Sequence, residues 1–461
     1  MQNTSSEWKV WGNRQLSGTV TVNGSKNCTL AILGASLLTT EPVLLYNVPR
    51  LSDVDDMVSV LQSAGSHVSW QDANTLSIQR PVLLDVKNLD IHAARRTRAI
   101  ALLTAGFAMD HDAFTLPLPG GCQLGDRSLE PHIDALDQLG LHVQCRAGGM
   151  HVRRLREGRS GTVINLLESG DTVSENAILT AVALRRDRIQ IRNASCNYMV
   201  QDLCHFVQTF GHVSIEGIGS PLLTIRCCKP ESRKPSVYSI LEDPIEAFFF
   251  IAAAIVTESN VRVNAVPFEF ISLELHLLQQ MGLKLERSPD YLATNGVTPL
   301  CDIGVSARNS SLTSPNTKIH PNVFPFGINV DNLPAFGPIA ALASGQTLLH
   351  DWMYEQRAGY FASLRDFGVR VELLDSHRVD IFGPTHLRSA SCELPPALRP
   401  ASMVLLAALA APGLSHVRHV HVLSRGYEGL VGRLIALGAA IEVRERAQAV
   451  PLSDAVMRSV I

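Results

Sequence analysis

One phrase recurs six times along this chain of 461 residues. It is a leucine or similar residue, three further residues, a glycine, and then alternating apolar positions. The copies are LQSAGSHVSW from 61, LDQLGLHVQC from 136, VQTFGHVSIE from 207, LQQMGLKLER from 278, LRDFGVRVEL from 364 and LIALGAAIEV from 434. Their glycines, Gly65, Gly140, Gly211, Gly282, Gly368 and Gly438, stand 75, 71, 71, 86 and 70 residues apart. The phrase predicts an amphipathic helix ending on a glycine in the left-handed conformation, after which the apolar period drops from about 3.6 to about 2 as a strand begins.

Upstream of most copies lies a second helical stretch rich in Ala and Leu, such as TLAILGASLL at 29–38 or PIAALASGQTLL at 338–349. A β-rich run such as PVLLYNV at 42–48 follows it. Each unit therefore reads strand, buried helix, strand, amphipathic helix, strand. Solenoid repeats run to about 20–50 residues, and these units are longer, so the expectation is two globular α/β domains of three units each. The polar stretch CCKPESRKPS at 227–236 separates the third unit from the fourth. A cleft between the domains is the expected ligand site.

Composition narrows the partner. The formal net charge is −3, and no basic stripe with interleaved aromatics occurs, which argues against nucleic acid. The nine cysteines form no C-x-x-C pair and no metal-ligand rhythm with histidine, which suits a reducing compartment and argues against zinc or any other metal site. Of the 40 basic residues 33 are arginine, the side chain suited to bidentate binding of phosphate and carboxylate; a genomic bias explains that excess equally well. The start MQNTSSEWKV lacks the apolar core of a signal peptide, and the longest apolar run, AFFFIAAAIV at 247–256, is too short to span a bilayer. A soluble, cytoplasmic protein without a membrane partner is expected.

Several stretches carry candidate chemistry. In TLPLPGGCQLGDR (115–127) a cysteine follows paired glycines in a loop and precedes an arginine by five residues. The arginine favours the Cys122 thiolate, Asp126 opposes it, and an inert loop thiol is the plain alternative. NGSKNCTLAIL (23–33) places Lys26 and Asn27 where a loop enters an apolar helix, a start that presents N–H groups to an anion; an ordinary capped helix is the commoner explanation. HAARRTRAI (92–100) brings Arg95, Arg96 and Arg98 to another helix start, while YEQRAG and SRGYEG place Arg357 and Arg425 after strands. Singly each reads as a surface charge, but they recur at matching junctions of several units. FGINVDNLPAFGPIAAL (326–342) sets Asp331 just before an apolar helix, as a cap or as a base facing the cleft. His416, His419 and His421 read as strand positions, with the last two on one face.

These residues, in this order on six repeats, resemble the enolpyruvyl transferase family, and the resemblance runs from LSGTVTVNGSKN to LSRGYEGLVGRLIALGAAIEV. It implies the two-domain enolpyruvyl transferase fold, an inside-out α/β barrel of six βαβαββ repeats, three per domain, with the active site in the interdomain cleft. The N-terminal domain would span 22–233, and 1–21 with 234–461 would form the C-terminal domain. PGGC followed by arginine is similar to the family's mobile active-site loop, so Cys122 and Arg127 look like the catalytic cysteine and its phosphate-binding partner. GSKN and PGGC favour the cell-wall type over the sister enzymes that act on a shikimate phosphate.

By the same matching, Lys26, Arg98, Arg127, Arg399 and Arg425 look like the cradle for phosphoenolpyruvate. Asn27 and Asp331 resemble the acceptor-contacting pair, with Asp331 as base, and Arg357 matches the arginine after the next strand. Phosphoenolpyruvate is a co-substrate, and the chemistry needs a base and an acid but no metal or organic cofactor. A closing loop that bears Cys122 would donate a proton or form a transient adduct while excluding water.

The resemblance breaks around the acceptor. Where the cell-wall enzymes carry a diphosphate-binding Ser-Val-Gly loop with a lysine close by, this chain reads SGDTVSEN, with Asp171 ahead of Glu175 and Asn176 and no lysine between Lys87 and Lys229. The family's aspartate two residues before the matching arginine is Ala397, and a histidine before the RGYE arginine is Val422. The resemblance implies a uridine nucleotide as the acceptor. The 3'-hydroxyl of UMP, as in enolpyruvyl transferases of nucleoside-antibiotic pathways, is placed ahead of that of UDP-N-acetylglucosamine in peptidoglycan synthesis. A silent, nucleotide-binding regulatory relative is the alternative of another class. The family's epoxide inhibitor fosfomycin is expected to modify Cys122.

Overall fold

A computed structural model describes residues 6–120, 128–155, 163–185, 188–228, 234–322 and 327–445. All six repeat glycines have positive φ, at +95° (Gly65), +94° (Gly140), +75° (Gly211), +103° (Gly282), +89° (Gly368) and +106° (Gly438). Five of them follow the helices Ser52–Ser63, Glu130–Gln138, Tyr198–Gln208, Ser272–Gln280 and Leu430–Ala436, and Gly368 follows the 3-10 helix Arg357–Phe367. The next strands are His67–Trp70, Leu141–Arg146, Val213–Glu216, Lys284–Arg287, Arg370–Leu373 and Ala440–Glu445. Glycine lets the chain reverse from helix to strand without the Cβ clash of the left-handed region.

Each unit builds one sheet, and the strand after the glycine lies at its edge in all six. Four of these edge strands pair antiparallel with the next strand of the chain, such as His67–Trp70 with Leu76–Gln79, and Lys284–Arg287 pairs antiparallel with Pro299–Ser306, past the two-residue strand Tyr291–Leu292. The sixth has no successor among the described residues, and the N-terminal strand Ser6–Gly12 takes that place. It lies antiparallel between Ala440–Glu445 and Gly413–Arg418.

The first and fourth units exchange strands. Ser17–Thr21 leads into the first buried helix, Lys26–Ala35, yet pairs in parallel with Asn260–Val266 of the fourth unit. Ser236–Ser239 leads into the fourth buried helix, Pro244–Val256, yet pairs in parallel with Val43–Tyr46 of the first. In the unexchanged third and sixth units the strand ahead of the buried helix pairs with the strand behind it, as Val163–Asn165 does with Arg188–Arg192. The chain thus crosses between its halves twice, and the crossovers run antiparallel and touching. Gly24 bridges Glu242, Ser25 N–H donates to Leu241 O at 2.7 Å, and Asp243 N–H donates to Asn23 O at 2.8 Å. A Cβ at Gly24 would stand 1.7 Å from the Asn47 carbonyl oxygen, so only glycine fits.

The buried apolar side chains form two clusters. One runs from Cys28 to Ile245, and the other joins Trp8–Val22 to Ala247–Ala439. The expected boundary at 233 falls just ahead of Ser236–Ser239, and Tyr238, Ile240 and Leu241 pack in the first cluster. At the centre of the second, Pro244–Val256 and Leu398–Ala410 are buried on every side, which explains why their sequences show apolar runs rather than stripes. Among the described residues no helix is long and apolar enough to cross a membrane.

Two local expectations differ. PIAALASGQTLL is helical only to Leu342; Ala343 is extended at ψ 141°, which ends the helical hydrogen-bond series, and Gly345, at φ +113°, opens the strand Gly345–His350. The strand bearing His416 ends at Arg418. His419 is left-handed at φ +60° and His421 lies in the 3-10 helix Val420–Arg425, so these two do not share a strand face.

The glycine cap predicts opposite effects at two uncrowded positions. No atom lies within 4 Å of a Cβ added at Gly211 or at Gly432, but only Gly211 has positive φ. Gly211→Ala should lower stability by about 1 kcal/mol from backbone strain, and Gly432→Ala, inside the helix Leu430–Ala436, should raise it by about 0.5–1 kcal/mol. Denaturant midpoints that move in the same direction would contradict the cap.

Candidate active site

Lys26 is the first residue of its helix, directly after the crossover, and the Ser25 hydroxyl caps the helix by accepting from Cys28 N–H at 3.3 Å. The Lys26 ammonium reaches Asp53 Oδ2 at 3.2 Å. On the other side of Asp53, Arg425 donates from Nε at 3.0 Å and from Nη2 at 3.3 Å. Asp53 and Arg425 are 372 residues apart in sequence. One carboxylate of the first half therefore holds a cation from each half. Burial pushes the Asp53 pKa up, but the charges and hydrogen bonds of Lys26 and Arg425 outweigh it and the net shift is downward.

A second cluster forms around Asp331, which precedes the short 3-10 helix Leu333–Ala335. Arg399 Nε lies 3.1 Å from Asp331 Oδ2, and Arg357 Nη1 lies 3.8 Å from Oδ1. Arg357 is 1% exposed; its Nε pairs with the buried Asp351 and its Nη2 donates to Val330 O at 2.7 Å. Arg399 Cζ stands 5.4 Å from the Tyr427 ring centre. Burial works against the Arg399 charge, but Tyr427, Asp331 and Asp243 favour it more. Nη1 of both arginines is buried and makes no hydrogen bond among the described residues, that of Arg357 lying only in ion-pair range of Asp331. A buried, unused guanidinium N–H is costly unless an acceptor arrives, so these two donors suit an incoming anion.

Asp243 joins the clusters. It caps Pro244–Val256 by accepting from Ile245 N–H at 2.8 Å and Glu246 N–H at 3.3 Å. Its pKa is raised by burial, while Arg399 and Lys26 both pull it down. Asp243 thus lies in the field of both cations. The helix Leu398–Ala410 that carries Arg399 has Ala397 as its N-cap residue, which supplies no side-chain cap.

Of the expected residues, the structure gathers Lys26 and Arg425 on Asp53, and Arg357 and Arg399 on Asp331. Asn27 is half-buried beside Lys26. Arg98 opens the 3-10 helix Arg98–Leu103 and donates to Ser128 O at 3.3 Å; its charge, together with burial as the larger cause, lowers the His132 pKa to about 4. Arg95 and Arg96 are exposed, and Arg96 pairs with Asp56, outside both clusters. Cys122 and Arg127 lie outside the described residues. Asp53, Asp243, Asp351 and Tyr427 are not among the residues the sequence singles out. The SDVDD run holding Asp53 carries no signal that separates it from ordinary acids at a helix start.

Beside Val330 a cavity of about 100 Å³ opens between the halves, lined by Ser169, Asp171, Ser195 and Asn197 on one side and Asn329 and Tyr354 on the other. Asp171 accepts from Ser195 Oγ at 2.6 Å and from Asn197 Nδ2 at 3.2 Å. Asn329 Nδ2 donates to Asn197 Oδ1 at 3.2 Å, and Asn329 Oδ1 accepts from Asp331 N–H at 2.9 Å.

Residues 10–434 match the EPSP synthase (3-phosphoshikimate 1-carboxyvinyltransferase) family. The UDP-N-acetylglucosamine 1-carboxyvinyltransferase of Bradyrhizobium diazoefficiens is 32% identical over 450 residues, which cover 95% of this chain and 97% of that protein. UDP-N-acetylglucosamine 1-carboxyvinyltransferase 1 of Legionella pneumophila is 30% identical over 447 residues, covering 96% and 83%. Among solved structures, the enolpyruvyl transferase NikO from Streptomyces tendae matches with a TM-score of 0.81 at 20% identity, over 96% of this chain and 100% of that one. EPSP synthase from Acinetobacter baumannii matches at 0.71 and 17% identity, over 95% and 100%. The fold is the two-domain α/β fold of enzymes that transfer an enolpyruvyl, or carboxyvinyl, group. The chain belongs to the EPSP synthase family.

The Asp53 geometry sets a pH dependence. A carboxylate whose folded pKa is depressed stabilises the fold above its unfolded pKa of about 3.9 and loses that contribution as pH falls through the folded value. Asp53→Asn should therefore cost about 2 kcal/mol at neutral pH, with the two stability curves converging in acid below that unfolded pKa. Parallel curves across the whole range would sever Asp53 from Lys26 and Arg425.

Proposed function

We propose that this chain transfers the enolpyruvyl group of phosphoenolpyruvate to a hydroxyl of a uridine nucleotide and releases phosphate. The observation that carries the proposal is the convergence of Lys26 and Arg425 on Asp53 and of Arg357 and Arg399 on Asp331, with two buried N–H donors unspent. Such a site fits an anion that bears both a phosphate and a carboxylate.

The acceptor hydroxyl loses its proton to Asp331 as its oxygen bonds to C2 of phosphoenolpyruvate, and a proton is added at C3. Loss of a proton from C3 then restores the double bond as the C2–O bond to phosphate breaks. Lys26, Arg98, Arg127 and Arg425 hold the phosphate and carboxylate, Arg399 steadies Asp331 and the developing charge, and Asn27 and Arg357 orient the acceptor. Cys122 supplies or shuttles the C3 proton. Neither metal nor organic cofactor enters, and the enzyme works in the cytoplasm without a nucleic-acid or membrane partner.

UMP, through its 3'-hydroxyl, is the favoured acceptor, in nucleoside-antibiotic biosynthesis. Asp171 in place of a diphosphate-binding loop supports it. UDP-N-acetylglucosamine is the second reading, favoured by the names of relatives that cover nearly the whole chain.

Phosphate release from phosphoenolpyruvate, with each acceptor offered separately and products weighed by mass spectrometry, tests both. Turnover is expected with UMP; turnover with the sugar nucleotide alone would transfer the assignment to peptidoglycan synthesis, and turnover with neither would favour a regulatory binding protein. Arg399→Ala should lower kcat/KM about a hundredfold or more, and Cys122→Ser should abolish turnover. Fosfomycin should add one adduct to the wild type in an intact-mass measurement and none to Cys122→Ser.

A further inference from the structure

The proposed base lies in a turn ahead of its short helix, and one side chain from outside that turn holds it on both sides. Glu274, on the helix Ser272–Gln280, accepts from Asn329 N–H at 2.9 Å and from Asn332 Nδ2 at 2.9 Å, both on the same oxygen, Oε1. Asp331 stands between those two residues. Its own N–H donates to Asn329 Oδ1 at 2.9 Å, and Asn332 N–H donates to Asn329 O at 2.9 Å. Val330, the remaining member, offers its carbonyl to Arg357 Nη2 at 2.7 Å. All four consecutive residues are thus fixed by bonds that no regular helix or strand supplies, and Glu274 anchors two of them.

Glu274 is 0% exposed, and its second oxygen, Oε2, makes no hydrogen bond among the described residues. Burial pushes its pKa up to about 7, against the pull of the bonds from Asn332 and Asn329. A position that served packing alone would be better filled by an apolar side chain, because a buried acid is costly. What the acid supplies, and an apolar residue does not, is an acceptor for the two donors that flank Asp331. Asn329 also donates from Nδ2 to Asn197 Oδ1 of the other half at 3.2 Å. The segment that carries the base is therefore tied to Glu274 on one side and across the cleft on the other.

We infer that Glu274 is a positioning residue for the enolpyruvyl transfer: acting through Asn329 and Asn332, it sets the place of Asp331 against the acceptor hydroxyl. The inference rests on the reading of Asp331 as the base and adds to it a group that touches neither substrate. A displacement of about 1 Å at a reacting group costs about a hundredfold in rate, so an anchor this close to the base bears directly on kcat.

Two measurements on the full chain test it. Hydrogen–deuterium exchange of the stretch 328–335, read by mass spectrometry, reports the N–H groups of Asn329, Asp331 and Asn332 and needs no turnover. Glu274→Leu, which keeps the bulk and removes the acceptor, should speed exchange there about tenfold or more and leave the helix Leu398–Ala410 as protected as in the wild type. Steady-state kinetics follow, with the acceptor that turns over. Glu274→Leu should lower kcat about tenfold to a hundredfold while KM for phosphoenolpyruvate stays within about twofold, the split expected when only the placement of a reacting group is lost. Glu274→Gln, whose side-chain carbonyl still accepts both donors, should recover most of the protection and most of kcat. Asn329→Ala, at a half-buried position, cuts the link to Asp331 N–H and leaves Glu274 in place. It should lower kcat in the same way, and it decides the question if Glu274→Leu does not fold.

Unchanged exchange at 328–335 in Glu274→Leu, exchange raised equally throughout the second half, or a kcat indifferent to residue 274 overturns the inference. Failure of the base reading looks different. Asp331→Asn would still turn over while residue 274 continued to govern exchange at 328–335, which would remove Asp331 as the base and leave Glu274 as the anchor of its segment.

Discussion

The exchange of strands between the first and fourth units is the constraint on which the rest of the molecule depends. Each half contains a parallel strand pair that it cannot complete from its own sequence, so Ser17–Thr21 and Ser236–Ser239 must each sit in the sheet opposite the helix they lead into. The two crossovers are thereby pressed together, and their backbone groups pair with each other. Buried backbone donors and acceptors that found no partner would cost more than the contacts gain. Lys26 and Asp243 are the residues that follow or end these crossovers. Their position at the junction is a consequence of the topology, not of any local preference.

Charge placement at the junction follows the same logic. Cations drawn from distant units meet in a space that is largely shielded from water, and each is held by a carboxylate: Asp53 for Lys26 and Arg425, Asp331 and Asp351 for Arg357, Asp331 for Arg399. Without such partners, like charges this close would force the halves apart. The carboxylates leave some guanidinium N–H groups unspent. The site therefore keeps its cations oriented while retaining donors for an arriving anion, which is the preorganisation that electrostatic catalysis requires.

Much of the architecture is legible along the chain because its signals are local. A glycine between an amphipathic helix and an alternating strand leaves little choice but a left-handed cap, and all six behave so. The end of the helix at Leu342 was not legible from SGQTLL, because apolar residues after a glycine suit a strand as well as a helix. His419 escaped for a related reason: its left-handed backbone is a property of the turn into Val420–Arg425, and histidine does not announce such a turn. In the site, the arginines and Lys26 stood out by residue type and place within the repeat. Asp53 did not, since a carboxylate at a helix start is the commonest of caps and its true partner is 372 residues away.

By itself the sequence determined six helix-to-strand reversals, buried helices rich in Ala and Leu and a set of basic residues at repeated junctions, since each depends only on neighbours within a few turns of chain. Only the tertiary structure decided that the first strands of two units are exchanged, that the N-terminal strand completes the sixth sheet, that Asp53 collects a cation from each half, and that Asp331 collects two from the second half. Backbone hydrogen bonds between strands are nearly indifferent to side chains, so residue patterns do not name the partner strand. The meeting of distant charges is likewise settled by where the two cores bring them, after local structure has formed.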